Sequence, residues 1–463
     1  MDNPSRKNVA IVGAGIFGLS LALSLRKRGH DVTVFDQHRY DETSYHPSEA
    51  EPELVASVDH NKIFRASYGT KLHYQRLALE SRKAWIRINK ELQETSPGAE
   101  DLFVSCGMLR VQPTASLSAL EQETLTNMTR DGLRDTQFVE GDSDDRERAS
   151  ERGWAAKLLD FAIPNDPDKR SFEAVLDSLA GFTRCYSGCA YFYHLAEQTG
   201  VAFKLGPEQG KFDCLVEEQA GSDKKAVGLK TKDGRVHKSD VVVIAAGSFS
   251  TQLLPDLSYH LESSAGSVAT FKIEKGDTTL WDKYSPEKFP VITWKSTPRG
   301  KDGKDTGSVY VLPRTPEGLV KIGYRGVKFT NFQPAPEGTP FTQDSKWEFV
   351  SIFLPEFQDV PFYSTKLCWY TDSLDNSFLA SPTIDYVPTY IGNSLFVCTG
   401  GSGHGAKFMP VLGEHAADIF ENGDGSTTPM RPFWRWREDM PRRNGLQEGP
   451  DGPRNIGEKA AQG

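Results

Sequence analysis

Val9-Ala10-Ile11-Val12-Gly13-Ala14-Gly15-Ile16-Phe17-Gly18 opens the most regular stretch of the chain. Four apolar residues bounded by glycine read as a fully buried strand. The glycine loop then turns into an apolar helix that runs to Leu25, with Arg26, Lys27 and Arg28 in its last turn and Gly29 as its C-cap. Val32-Thr33-Val34-Phe35 is a second buried strand, ending at Asp36. Together they form a parallel strand–helix–strand crossover. Gly13 permits the tight turn, Gly15 lets a pyrophosphate approach the backbone, and Gly18 allows close packing of helix on strand. The helix N-terminus, beginning at Ile16, offers N–H groups and partial positive charge to phosphates. Asp36 stands where an acceptor for a ribose hydroxyl is expected. A dinucleotide site follows, and this motif alone does not separate FAD from NAD.

The chain around this unit has 463 residues, enough for about two or three domains. Hydrophobic residues at 38% and charged residues at 25% describe a folded protein with a core. A net charge of −9 argues against a nucleic-acid partner, which needs clustered Lys and Arg. Six cysteines are too sparse for a disulfide scaffold, and no group of them with histidines has the spacing of a metal site. No apolar run approaches the ~18 residues of a membrane span. The first strand arrives too early for a signal peptide, and Ala460-Ala461-Gln462-Gly463 is not a peroxisomal address, so a cytoplasmic location is expected.

Residues 71–92 carry Leu77, Trp85, Ile88 and Leu92 at helical spacing. Residues 141–153 are so hydrophilic that they read as a solvated loop. Cys185–Gln198 reads as a helix, Val201–Lys204 and Asp240–Gly247 as strands, and residues 266–331 as short strands and turns. Leu395–Cys398 is a strand that enters Gly400-Gly401-Ser402-Gly403-His404-Gly405, after which a helix presents Phe408, Leu412, Ala416 and Ile419 on one face. The tail after Pro432 reads as extended over the surface. Nucleotide-type signals thus recur at the beginning, middle and end, with β-rich sequence between them. The expected architecture is α/β: a discontinuous Rossmann-like domain from 1–90, 165–250 and 370–430, an inserted α+β substrate domain from 91–164 and 251–369, and a tail from 431–463.

Three further segments separate the cofactors. Asp59-His60-Asn61-Lys62-Ile63-Phe64-Arg65-Ala66-Ser67-Tyr68-Gly69, Lys366-Leu367-Cys368-Trp369-Tyr370-Thr371 and Gly400 to Phe408 resemble the monomeric sarcosine oxidase and amadoriase (fructosyl amino acid oxidase) family. Within that group the likeness runs towards fungal saccharopine and pipecolate oxidases. The resemblance implies FAD, joined by a thioether from Cys368 to its 8α-methyl, with Asn61, Lys62, Gly401, Gly403 and Lys407 also around the cofactor. It implies that Arg65 and Lys407 hold a substrate carboxylate, for which two cations and a two-pronged guanidinium are suited. Tyr310 matches the family's active-site aromatic. Lys321 matches its lysine near flavin N5, where a fixed ammonium stabilises the negative charge that develops on O2. Arg325 stands where sarcosine oxidases carry His, Lys62 where they carry Arg, and Ala406 where a bulky aromatic is usual, so a substrate larger than sarcosine is expected. The implied reaction is oxidation of the C–N bond of a secondary or N-substituted amino acid to an imine, with O2 reduced to H2O2, in a monomer or dimer. The rivals are a tailoring oxidase acting on an amino-acid-derived amine, a fructosyl amino acid oxidase, a dehydrogenase with another acceptor, an NAD(P)H-using hydroxylase, and a flavoprotein that only binds.

Overall fold

A computed structural model describes residues 6–39, 55–69, 71–221, 223–259, 261–295, 308–325, 344–373 and 383–437. Asn8–Val12 is hydrogen-bonded in parallel to Asp31–Asp36 on one side and to Val241–Ile244 on the other. Ala202–Leu205 and Leu395–Thr399 extend this sheet in parallel, and Thr383–Tyr386 closes it antiparallel, giving six strands. All four residues of Val241–Ile244 are buried, as expected for a central strand covered on both faces.

The helix Ile16–Lys27 is almost wholly buried because Met409–Asn422 packs across it. That crossing is close: a Cβ on Gly413 would stand 2.0 Å from the carbonyl oxygen of Ser20. Ser20 fills the polar demand there, donating from Oγ to Met409 O (2.6 Å) and accepting from Gly413 N (2.8 Å). Leu72–Thr95 is the amphipathic helix that the sequence marks, burying Leu77, Ala84, Trp85 and Ile88.

A second, eight-stranded sheet runs in the order Ser364–Ser373, Leu261–Lys272, Leu319–Arg325, Ser308–Val311, Val291–Lys295, Met108–Val111, Ala174–Asp177, Gln137–Val139. The fold is therefore mixed α/β, a mostly parallel nucleotide layer joined to a mostly antiparallel sheet. The register divides the second sheet's faces. Leu109, Leu176, Phe271, Ile292, Val309, Val320 and Ile322 fall on one face and form a core with Phe349, Phe353 and Phe357. The other face carries Arg110, Thr293, Tyr310, Lys321, Lys366 and Cys368.

Several local expectations change. Residues 143–151 are a helix, not a loop: Asp142 caps it by accepting from the N–H groups of Asp144 and Asp145. Asp145 is in turn clamped by Arg134 (2.7 Å) and Arg148 (2.5 Å), so capping and ion pairs replace the apolar stripe that periodicity looks for. Leu261–Lys272 is one long strand rather than several short ones. Its small residues obscure it in the sequence, yet it pairs along its length with Ser364–Ser373. Ala174–Asp177, which lies inside the 165–250 segment assigned to the nucleotide domain, joins the eight-stranded sheet.

The tail from 432 to 437 docks instead of spreading over the surface. Trp434 is fully buried with Met430 in the core beside the nucleotide layer, and Asp385 accepts from Arg431 and from Trp436 N (2.8 Å each). Removing a buried Trp side chain costs about 3–5 kcal/mol. Urea unfolding of Trp434→Ala should show a loss of that size, whereas a frayed tail would leave the midpoint unchanged.

Candidate active site

The glycine loop forms because each glycine stands where a side chain cannot. Gly13 has φ +112°, and a Cβ there would lie 2.5 Å from Ala245 O; on Gly18 it would lie 1.9 Å from Gly13 O. At Gly15 it would meet Ser57 Oγ at 2.8 Å, so this position keeps the backbone open towards the Ala56–Val58 turn. Among the described residues no side chain caps the helix at Gly15, and no acidic residue lies in its first turn. Its N–H groups therefore face a cavity of about 420 Å³, within the ~300–1,000 Å³ range of cofactor pockets. Gly13, Gly15, Ile16 and Asp36 line one part of the wall, and Lys62, Gly401 and Gly403 another. Asp36 accepts from Ala14 N (2.7 Å) and His38 N (2.9 Å), which fixes the carboxylate at the cavity edge.

Gly400, Ser402 and Gly403 all have positive φ. Gly401 and Gly405 press on Phe17, against which Cβ atoms would stand at 2.9 and 2.4 Å. Ser402 N donates to Thr371 O (2.8 Å), and Ser373 N donates to Ser402 Oγ (3.3 Å). The loop is thus stitched to the strand that carries Cys368. Among the described residues, the four polar side-chain nitrogen and oxygen atoms of His60 and Asn61 have no hydrogen-bond partner although both residues are buried. Open N–H groups at a helix terminus, glycines that admit close approach and orphaned polar atoms at the adjoining segment fit a bound dinucleotide.

On the eight-stranded sheet, Cys368 lies opposite Gly266, Lys366 opposite Val268, and Lys321 opposite Thr270. Tyr310 lies opposite Gly323, and a Cβ on Gly323 would be 2.0 Å from Tyr310 Cζ, so the ring lies across the bare backbone. Lys321 is only 2% exposed, which excludes a solvent-facing lysine. Its Nζ donates to Asp59 Oδ2 (3.0 Å) and to Asn61 O. Lys62 Nζ is 2.8 Å from the same Asp59 oxygen and 3.6 Å from Cys368 Sγ. Lys366 approaches Asp59 Oδ1 at 3.7 Å.

Burial alone would raise the Asp59 carboxyl, but Lys321, Lys62 and Lys366 outweigh it and hold it well below the usual carboxylate range. Burial pushes the His60 imidazole down to about 4, so it is neutral near pH 7. Asp59 is the central residue that sequence reading missed. The signal was its place three residues before Lys62, which is also an ordinary spacing.

Arg65 and Lys407 meet on Tyr68: the guanidinium carbon is 4.4 Å and the ammonium 5.3 Å from the ring centroid. Lys407 is 2% exposed, and its Nζ lies 3.1 Å from His404 Nδ1. Its carbonyl accepts from Ser81 Oγ and Trp85 Nε1, tying the segment to the Leu72–Thr95 helix. Tyr68 and His404 were not singled out from sequence, because an aromatic and a histidine in glycine-rich segments have many ordinary uses. Arg325 ends its strand opposite Ser308, and its side chain lies outside the described residues.

Comparison with known proteins agrees with this geometry. Residues 8–419 match the FAD dependent oxidoreductase (DAO) family. The chain is 27% identical over 457 residues to L-saccharopine oxidase of Schizosaccharomyces pombe, covering 94% of each chain. It is 24% identical over 435 residues to an N-methyl-L-tryptophan oxidase of Escherichia coli, covering 92% of this chain and 98% of that one. In fold it is similar to a thermally stable mutant of fructosyl peptide oxidase, with a TM-score of 0.72 at 23% identity and 97% of both chains covered. A glycine loop made for a dinucleotide, on a chain matched over nearly its full length, has one reading: this protein belongs to the FAD dependent oxidoreductase family and is an FAD-dependent oxidoreductase.

Proposed function

We propose that this protein is an amine oxidase that converts the C–N bond of a secondary or N-substituted amino acid to an imine and reduces O2 to H2O2. The observation that carries the reading is the convergence of Lys321, Tyr310, Lys366 and Cys368 on one sheet face, beside a cavity edged by Lys62. FAD, when bound, accepts two electrons from the carbon next to nitrogen and passes them to O2. Arg65 and Lys407 hold the substrate carboxylate, oriented by their shared stacking on Tyr68. Tyr310, flat over Gly323, provides an aromatic wall. Ala406 puts a small side chain at the cavity wall, next to Lys407, which is consistent with a substrate larger than sarcosine. Two relatives are named for N-substituted amino acids, saccharopine and N-methyltryptophan, which supports the same substrate class here.

An acid substrate and its amide separate this from a neutral-amine oxidase. Leaving a desolvated cation without its partner costs ~2–5 kcal/mol, so amidation should lower kcat/KM at least about thirtyfold. Lys407→Met should largely erase that difference; equal rates for acid and amide in the parent would remove the carboxylate clamp.

Cys368 is the residue proposed to bond FAD covalently, with Lys62 Nζ 3.6 Å from its sulfur. Acid-precipitated parent should remain yellow, and Cys368→Ala should release its flavin into the supernatant.

Lys321 is proposed to act on O2 through its charge. Because one desolvated charge is worth ~3–5 kcal/mol and each ~1.36 kcal/mol is tenfold, Lys321→Met should slow flavin reoxidation by two to four powers of ten. Anaerobic reduction by amine should stay within about tenfold. Equal slowing of both half-reactions would show a defect of folding or flavin binding instead.

A further inference from the structure

Asp59 follows the Ala56–Val58 turn and precedes the strand Lys62–Phe64. Its side chain is 3% exposed, and three ammonium groups surround it. Lys62 comes from its own segment; Lys321 and Lys366 come from two strands of the eight-stranded sheet and share that sheet's inward face. Among the described residues, Asp59 is the one carboxylate that pairs with these lysines. Among the described residues, His60, Cys185 and Cys368 also act on it or on its partners, and Glu317 acts on His60. His60 is neutral near pH 7, so it brings no charge to balance the lysines.

A buried ammonium survives only where a nearby anion replaces water. For Lys321, burial favours the neutral amine, Asp59 opposes this, and Lys62 and Lys366 add to the loss. A neutral amine has no field to offer a developing anion. We propose that Asp59 is a positioning residue for the oxygen step, holding Lys321 as an ammonium beside the cofactor cavity although two other lysines crowd it. This rests on the reading of Lys321 given above. Lys321 keeps its proton throughout: reduction of O2 to H2O2 takes two electrons from the reduced cofactor and two protons from elsewhere, and the ammonium contributes charge alone.

The test uses photoreduced holoenzyme mixed with aerated buffer, so that no amine substrate is needed, and follows flavin absorbance from about pH 6 to about pH 9. Parent enzyme should reoxidise at a nearly constant rate. Asp59→Asn should stay within about tenfold of parent at the acid end and fall at least about thirtyfold by the alkaline end, approaching Lys321→Met, as an amine without its counter-ion titrates in this range. The visible spectrum of oxidised Asp59→Asn should show a transition over the same range that is absent from the Asp59→Asn/Lys321→Met double variant. Asp59→Glu, which keeps the charge, should restore the flat profile. A flat Asp59→Asn profile, or an Asp59→Glu profile that falls like that of Asp59→Asn, overturns the proposal. If Asp59→Asn does not accumulate as holoenzyme, the double variant decides: reoxidation as slow as Lys321→Met supports the proposal. A further tenfold slowing, or failure of the double variant to fold, makes Asp59 a scaffold and overturns it. A parent-like rate in Lys321→Met would refute the oxygen reading itself. A slow Lys321→Met beside a flat Asp59→Asn refutes only the role of Asp59.

Discussion

One buried carboxylate shared among lysines holds the two layers of this protein together where the chemistry is proposed. Asp59 belongs to the segment that edges the nucleotide cavity, whereas Lys321 and Lys366 belong to the second sheet. Removing one partner of such a buried pair costs about 3–5 kcal/mol, chiefly because the other charge is stranded. The interaction therefore adds little net stability over an apolar contact, but it discriminates strongly against any other seating of the sheet. It also ties the lysine beside Cys368 and the lysine buried at the sheet's centre to a single anion.

Around that point the chain relies on backbones approaching where side chains would collide. Gly18 against Gly13, Gly413 against Ser20, and Gly401 and Gly405 against Phe17 bring two helices and a loop against one end of the parallel sheet. Gly323 does the same for Tyr310 on the second sheet. These contacts make few apolar gains of their own. They remove the thickness that would otherwise separate the glycine loop, the Gly400–Gly405 segment and the strand carrying Cys368.

The parallel crossover was legible because its period, its glycines and Asp36 are all local. The helix Cys185–Gln198 and the strand at Leu395 were legible for the same reason. The face of Lys321 could be read from the alternation of Val320 and Ile322, but its burial could not, since that depends on Asp59 some 260 positions away. Leu261–Lys272 was obscured because its small residues gain their strand character from two neighbours rather than from propensity. The helix at Ser143 was hidden because it is held by a cap and ion pairs, and Trp434 because its surroundings in the sequence are those of a frayed end.

The pairing of Ser364–Ser373 with Leu261–Lys272 has a further consequence. Side chains alternate between the faces of a sheet, so a slip of one residue would turn Cys368 to the face that Leu367 and Trp369 now occupy and away from Lys62. The backbone ladder alone does not forbid such a slip; Thr270 with Ser364, Ser264 with Asp372, and Lys366 at Asp59 choose the register. On the proposed attachment, the colour retained by unfolded chains is then a tally of strand register. It counts the molecules whose sheet once closed correctly, even after every non-covalent trace of that closure has gone.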